Sequence, residues 1–153
     1  MKKSIIGLAL FLSLVFLSFK TVKTTVIIKD IVVKAPFDMP AIKTPDFSNC
    51  KKLSIVDFGA VKGDKVKISR AINKAIDKAN KLGGGIVVVP EGEWITGKIH
   101  FKSNVNLHLN KGAVLLFSEN PKDYLPAVNS TWEGYECLNY SPLIYAYQCK
   151  NIA

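Results

Sequence analysis

Ile99-His100-Phe101-Lys102-Ser103-Asn104-Val105-Asn106-Leu107-His108-Leu109 is the stretch whose reading decides the fold class. Its odd positions, Ile99, Phe101, Ser103, Val105, Leu107 and Leu109, are apolar or small, and every even position is polar. Side chains on a strand alternate between two faces, so this period of two marks a surface buried on one side. Ser103-Asn104 reads as a turn between two strands that keep the same inside face. Upstream, Ile86-Val87-Val88-Val89 is a fully apolar strand stopped by Pro90. Downstream, Val114-Leu115-Leu116-Phe117 and Leu143-Ile144-Tyr145-Ala146 are further short strands.

Short strands separated by turns fit a sandwich, a barrel or a solenoid. Single polar turn residues such as Asn104 and Asn110 favour the solenoid. One coil cannot bury its own inner face, whereas a stack of coils can, provided the end of the stack is capped. A suitable cap precedes the first coil. From about residue 66 to 82, Ile68, Ala71, Ile72, Ala75, Ile76 and Ala79 form a stripe of helical period, with Lys67, Arg70, Lys74, Asp77, Lys78 and Lys81 on the other faces. Gly83-Gly84-Gly85 ends this helix, because glycine accepts the left-handed conformation that closes a helix. A phosphate-cradling loop needs a strand, then glycines, then a helix; here the order is helix, glycines, strand, which argues against that chemistry. The pattern therefore predicts an all-β solenoid with an N-terminal amphipathic capping helix.

Working outward, Met1-Lys2-Lys3 leads into an apolar run over residues 5–19 and a return to Lys20. A basic start and a run shorter than the roughly 20 residues that span a bilayer predict a secretory signal over residues 1–23, and hence a secreted or periplasmic protein. A retained anchor is the alternative, and no stable membrane partner is expected. Residues 24–50 hold a β-branched run, Thr24-Thr25-Val26-Ile27-Ile28-Lys29-Asp30-Ile31-Val32-Val33, and an irregular arm punctuated by Pro36, Pro40 and Pro45. Residues 51–153 form the solenoid unit, which opens on a short strand at Leu53-Ser54-Ile55-Val56. The net charge of +9, from 21 Lys and Arg against 12 Asp and Glu, either concentrates a polyanionic substrate or merely confers solubility. The export signal argues against nucleic acid. Cys50, Cys137 and Cys149 are an odd count. Cys137 with Cys149 is one pairing allowed outside the cytoplasm, and three unpaired cysteines is the other reading. None has His partners at metal-site spacing, so no metal is expected.

The order of these segments resembles a known family. Ser54-Ile55-Val56-Asp57-Phe58-Gly59-Ala60, the helix, and then Gly83-Gly84-Gly85-Ile86-Val87-Val88-Val89-Pro90-Glu91-Gly92 are similar to the opening of pectate-lyase-like parallel β-helix proteins. Trp94-Ile95-Thr96-Gly97-Lys98, the alternating stretch and Gly112-Ala113-Val114-Leu115 resemble the polygalacturonase branch. Ser118-Glu119-Asn120-Pro121-Lys122-Asp123-Tyr124-Leu125-Pro126, Trp132-Glu133-Gly134-Tyr135-Glu136 and Tyr140-Ser141-Pro142-Leu143 resemble its bacterial, exo-acting members. The resemblance covers residues 53–153. It implies a right-handed parallel β-helix, inverting hydrolysis of α-1,4-galacturonosyl linkages without a cofactor, and a galacturonan or pectin-type substrate. It implies nothing about oligomeric state. The loop Val61-Lys62-Gly63-Asp64-Lys65 is poorer in acidic residues than the family's counterpart.

The family's catalytic aspartates sit in Asn-Thr-Asp and Asp-Asp segments, supported by Gly-His-Gly and Arg-Ile-Lys, and none of these patterns occurs in the sequence. No catalytic residue is therefore assigned, and the chain reads as an N-terminal fragment: the cap and first coils of a hydrolase. A lyase of the same fold and a non-catalytic carbohydrate-binding solenoid are the alternatives. Glu91 with Glu93 and Glu133 with Glu136 lie close in sequence; the first pair flanks a turn glycine and reads as solvated. Trp132 and Glu133 are the candidate substrate-binding residues, because an aromatic ring stacks on a sugar while the neighbouring carboxylate accepts from its hydroxyls. His100 and His108 fall on the polar face with no evident partner for acid–base work. Tyr124, Trp132, Tyr135, Tyr140, Tyr145 and Tyr147 offer either a sugar-binding platform or ordinary packing.

Overall fold

A computed structural model describes residues 25–153; the expected secretory signal lies outside them. The described chain begins with two strands, β1 (Ile27–Ile31) and β2 (Ile42–Asp46), paired antiparallel. It continues through β3 (Lys51–Ser54), a 3-10 turn (Ile55–Phe58) and the helix α1 (Lys65–Lys81). Next come β4 (Gly85–Val89), β5 (Gly92–Thr96), β6 (Ile99–His100), β7 (Val105–Leu109) and β8 (Ala113–Phe117). A second 3-10 turn (Pro121–Tyr124), the hairpin β9 (Val128–Trp132) and β10 (Tyr135–Asn139), and β11 (Ile144–Tyr145) complete it.

The pairing is that of a parallel β-helix. Strands β3, β4 and β7 form one parallel sheet, β5 and β8 a second, and β6 and β11 a third. Inward residues stack rung on rung: Leu53 on Val87 on Leu107, Trp94 on Leu115, Thr96 on Phe117, and Ile99 on Ile144. Val87 meets Leu107 twenty residues later, whereas Ile99 meets Ile144 forty-five residues later. The difference is the excursion between β8 and β11 that carries the hairpin. Ile152 bridges Val105 in the same parallel sense and begins a fourth level of the β3–β4–β7 stack.

The period-two reading of residues 99–109 holds with one refinement. Its two strands, β6 and β7, belong to different sheets, and Asn104 turns the corner between them at φ 65°. Ile99 and Val105 are fully buried. The helical stripe is also as expected: Ile68, Ala71, Ile72, Ala75, Ile76 and Ala79 are all fully buried under α1. Each such isoleucine contributes about 1.5–3 kcal/mol relative to exposure. Gly83 and Gly84 donate back to the carbonyls of Asn80 and Ala79, so the helix closes in a Schellman arrangement.

Besides burying this stripe, α1 covers sheet edges that no preceding coil among the described residues covers. Asn73 donates from Nδ2 to the carbonyl of Lys98 (3.3 Å) and accepts at Oδ1 from the His100 N–H (3.2 Å). Asn80 donates to the Ser103 carbonyl (2.9 Å), and Ser69 Oγ accepts from the Gly97 N–H (2.7 Å). These bonds satisfy the backbone groups of the first rung that would otherwise form an open edge. At the other pole Leu107, Leu109, Leu115, Phe117, Ile144 and Ile152 face an open apolar cavity of about 580 Å³.

Two expectations change, and one open choice is resolved. The arm expected to be irregular contains β2, which pairs with β1 along five residues, Ile27 opposite Asp46 through Ile31 opposite Ile42. Pro45 is tolerated there because a two-stranded ribbon is all edge. The ribbon is exposed, with Ile27 and Ile31 each at 47%, and it joins the body through Val26, Phe47 and Cys50 packed against Ile86. The strand expected at residues 53–56 is β3, shifted to Lys51–Ser54, because Ser54 caps the 3-10 turn that follows. Cys137 and Cys149 are not joined; all three cysteines are free thiols.

Candidate functional site

The excursion between β8 and β11 is held to the solenoid by a chain of polar contacts. Lys65 at the start of α1 pairs with Asp123, which also accepts from the Ser118 hydroxyl. These bonds hold the Asp123 carboxyl below its ordinary value. Tyr124, buried, donates from its hydroxyl to the Ser118 carbonyl at 2.5 Å, and its own carbonyl accepts from the Ser141 N–H at 3.0 Å. Lys98 donates to the Leu125 carbonyl. The excursion thus leaves and rejoins the coil at fixed points.

His100 provides the return point. Ser141, only 4% exposed, gives its hydroxyl proton to the Pro142 carbonyl (3.0 Å). Its oxygen is then free to accept from His100 Nε2 at 3.1 Å. Burial, with Lys98 nearby, pushes the imidazole below its usual pKa, which keeps it neutral near pH 7. The ring packs against Tyr145 at 5.2 Å between centroids. Sequence reading found no partner for His100 because Ser141 lies 41 residues away. His108 is exposed.

Between the hairpin and β11 lies a groove of about 560 Å³. Strand β9 lines it with Asn129, Ser130 and Thr131, β10 with Glu136, Cys137 and Leu138, and the coil with Tyr145 and Tyr147. The two tyrosine rings are parallel within 1°, with centroids 6.2 Å apart. Tyr145 also donates from its hydroxyl to the Asn129 carbonyl at 3.0 Å, tying the hairpin to the coil. Aromatic faces beside hydroxyl, amide and carboxylate groups make a surface that can stack on a pyranose and bond its hydroxyls.

Trp132 and Glu133 fall at the hairpin tip, outside the groove lining. Glu133 (φ 50°) and Gly134 (φ 88°) form a two-residue turn with both φ values positive, the geometry that matches the twist of the flanking strands. Trp132 is 67% exposed and lies opposite Tyr135. Alternation places it on the same face of β9 as Ser130 and Val128, the half-buried face, so the tip carries an aromatic pair next to the groove. The hairpin and its lining residues escaped the sequence reading. The signal was Glu133-Gly134 between two runs of five residues, weak because neither run is hydrophobic enough to read as a strand. Of the six candidate aromatics, Tyr124 packs inside, while Trp132, Tyr135, Tyr140 and Tyr147 are exposed.

No family model matches the chain. Among solved structures, a hyperthermoactive exopolygalacturonase from Thermotoga maritima shares 43% identity and a TM-score of 0.60, over 67% of this chain and 22% of that one. The chain is related to the exopolygalacturonases. An exo-poly-alpha-D-galacturonosidase of Dickeya chrysanthemi is 38% identical over 88 residues, 57% of this chain and 14% of the relative. The plasmin and fibronectin-binding protein A of Streptococcus pneumoniae is 39% identical over 101 residues, 64% of this chain and 12% of the relative. The chain thus spans about an eighth of the length of these curated relatives.

Proposed function

We propose that the protein is an exported pectin-degrading glycoside hydrolase of the polygalacturonase type, acting on α-1,4-galacturonosyl linkages with inversion. The observation that carries this reading is the 43% identity with an exopolygalacturonase over 67% of the chain. Export is supported by the apolar run at residues 5–19 behind Lys2-Lys3. Within this reading the described residues supply the cap, the first rungs and sugar contacts, with Trp132 and Glu133 touching substrate at the hairpin tip.

Inverting hydrolysis needs an acid and a base roughly 6.5–9.5 Å apart across the scissile bond. Asp46, Asp64, Asp77 and Asp123 are each tied to a lysine, and the groove carries Glu136 as its carboxylate. The reading therefore assigns the catalytic pair to residues other than these. The test is release of reducing ends from polygalacturonate by the protein expressed from its full reading frame. Release is expected there, and none from residues 1–153 alone. Absence of release by the full product sinks the hydrolase reading; release by the 153 residues overturns the assignment of the acid and base. A second reading, a non-catalytic binding solenoid, is favoured by the relative named for binding plasmin and fibronectin. It expects ligand retention with no reducing ends released.

A further inference from the structure

The charge of the groove differs from that of the rest of the molecule. The chain carries a formal charge of +9, yet among the described residues no lysine, arginine or histidine lines the groove, and Glu136 does. Cations gather elsewhere: a smaller cavity of about 260 Å³ beside the start of α1 is lined by Lys65, Arg70 and Lys98, with Asp123. His100, which sits behind Tyr145, is kept neutral by burial and by Lys98. Binding a free uronate calls for a guanidinium or ammonium to meet its carboxylate. The groove offers the opposite: a carboxylate of like charge, two parallel tyrosine faces, and the neutral hydrogen-bonding groups of Asn129, Ser130 and Thr131.

We propose that this groove binds an uncharged sugar unit, a neutral pyranose or a methyl-esterified uronate, and discriminates against the free uronate. The tyrosine faces stack on the apolar face of the ring, and Glu136 accepts from sugar hydroxyls. A uronate carboxylate in the same place meets the exposed Glu136 at close range, where like charges repel. The inference deepens the pectin reading and rests on it for the ligand being a pectic sugar.

The test compares two ligands that differ in whether each carboxyl is free or methyl-esterified. Oligogalacturonide and its fully methyl-esterified form, equal in length, are titrated into the 153-residue chain at neutral pH, with tyrosine and tryptophan fluorescence as the readout. The ester is expected to bind about fivefold more tightly than the acid. Tyr147→Ala is expected to remove most of the ester binding. Glu136→Gln is expected to tighten acid binding severalfold while ester binding stays within about twofold. Both positions are exposed, so an unchanged denaturant midpoint verifies that the variants fold. Equal or tighter binding of the acid overturns the proposal, as does an acid-to-ester ratio that Glu136→Gln leaves unmoved, or failure of both ligands to bind the folded chain. Failure here with reducing-end release intact leaves the hydrolase reading standing; ester binding without any release has the reverse meaning.

Discussion

The parallel rungs beneath α1 and the antiparallel β9–β10 hairpin are built on opposite physical terms. The rungs stack fully buried Ile55, Val87, Val89, Ile99 and Val105 against Ile68, Ile72 and Ile76 of the helix. The hairpin leaves Trp132, Tyr135 and Leu138 exposed and is located by polar contacts: Lys65 with Asp123, Tyr124 with Ser118, and Tyr145 with Asn129. An isolated two-stranded hairpin is marginal in water. Its place is therefore set by the coil it leaves and rejoins. Stability resides in the rungs and the groove depends on the hairpin, so changes in the two regions should separate.

The largest effect is expected in the rungs. Ile72→Ala removes a fully buried side chain at the helix–sheet interface and is expected to cost about 2–5 kcal/mol in urea unfolding. A cost near zero would mean that α1 does not close the core. Gly85→Ala comes next. A Cβ there falls 2.7 Å from Ala79 Cβ and 3.0 Å from Ala79 Cα, so helix and strand must separate, at a cost of about 1–3 kcal/mol.

The hairpin's attachment is expected to respond to acid. Asp123 is held below its ordinary value of 3.8, first by the hydrogen bond with Lys65 and then by that with Ser118. A depressed carboxylate contributes fully above its ordinary value and loses that contribution as pH falls through the lowered one. Acidification below about 4 should therefore loosen the excursion. Asp123→Asn should lack this acid-sensitive step, read as tyrosine fluorescence against pH, while the unfolding midpoint near neutrality changes little. The smallest effect on stability is expected at the hairpin tip. Trp132→Ala should stay within about 0.5 kcal/mol of the parent yet weaken pectic oligosaccharide binding, which isothermal titration calorimetry reads directly. A large loss of stability instead would make Trp132 a packing residue.

What the sequence disclosed follows the same division. The buried stripe of α1 and the alternation at residues 99–109 were legible because burial imposes a period on neighbouring residues. The groove was not. Asn129, Glu136 and Tyr147 meet through a hairpin with no inward apolar face and through contacts such as His100 with Ser141, 41 residues apart. Trp132 and Glu133 stand out by residue type, and the structure places both at the hairpin tip, outside the groove lining. The ribbon β1–β2 was half-seen for a similar reason: its β-branched first strand has a signal, but Ile42–Asp46 contains Pro45 and reads as linker.

Hydrogen–deuterium exchange of the 153-residue chain, with and without mixed esterified pectic oligosaccharides, tests this division most directly. The account predicts slow exchange in α1, β4 and β7 that ligand leaves unchanged, and faster exchange in residues 128–147 that ligand slows. Protection that appears in α1 and β4 while residues 128–147 stay unaltered would contradict it.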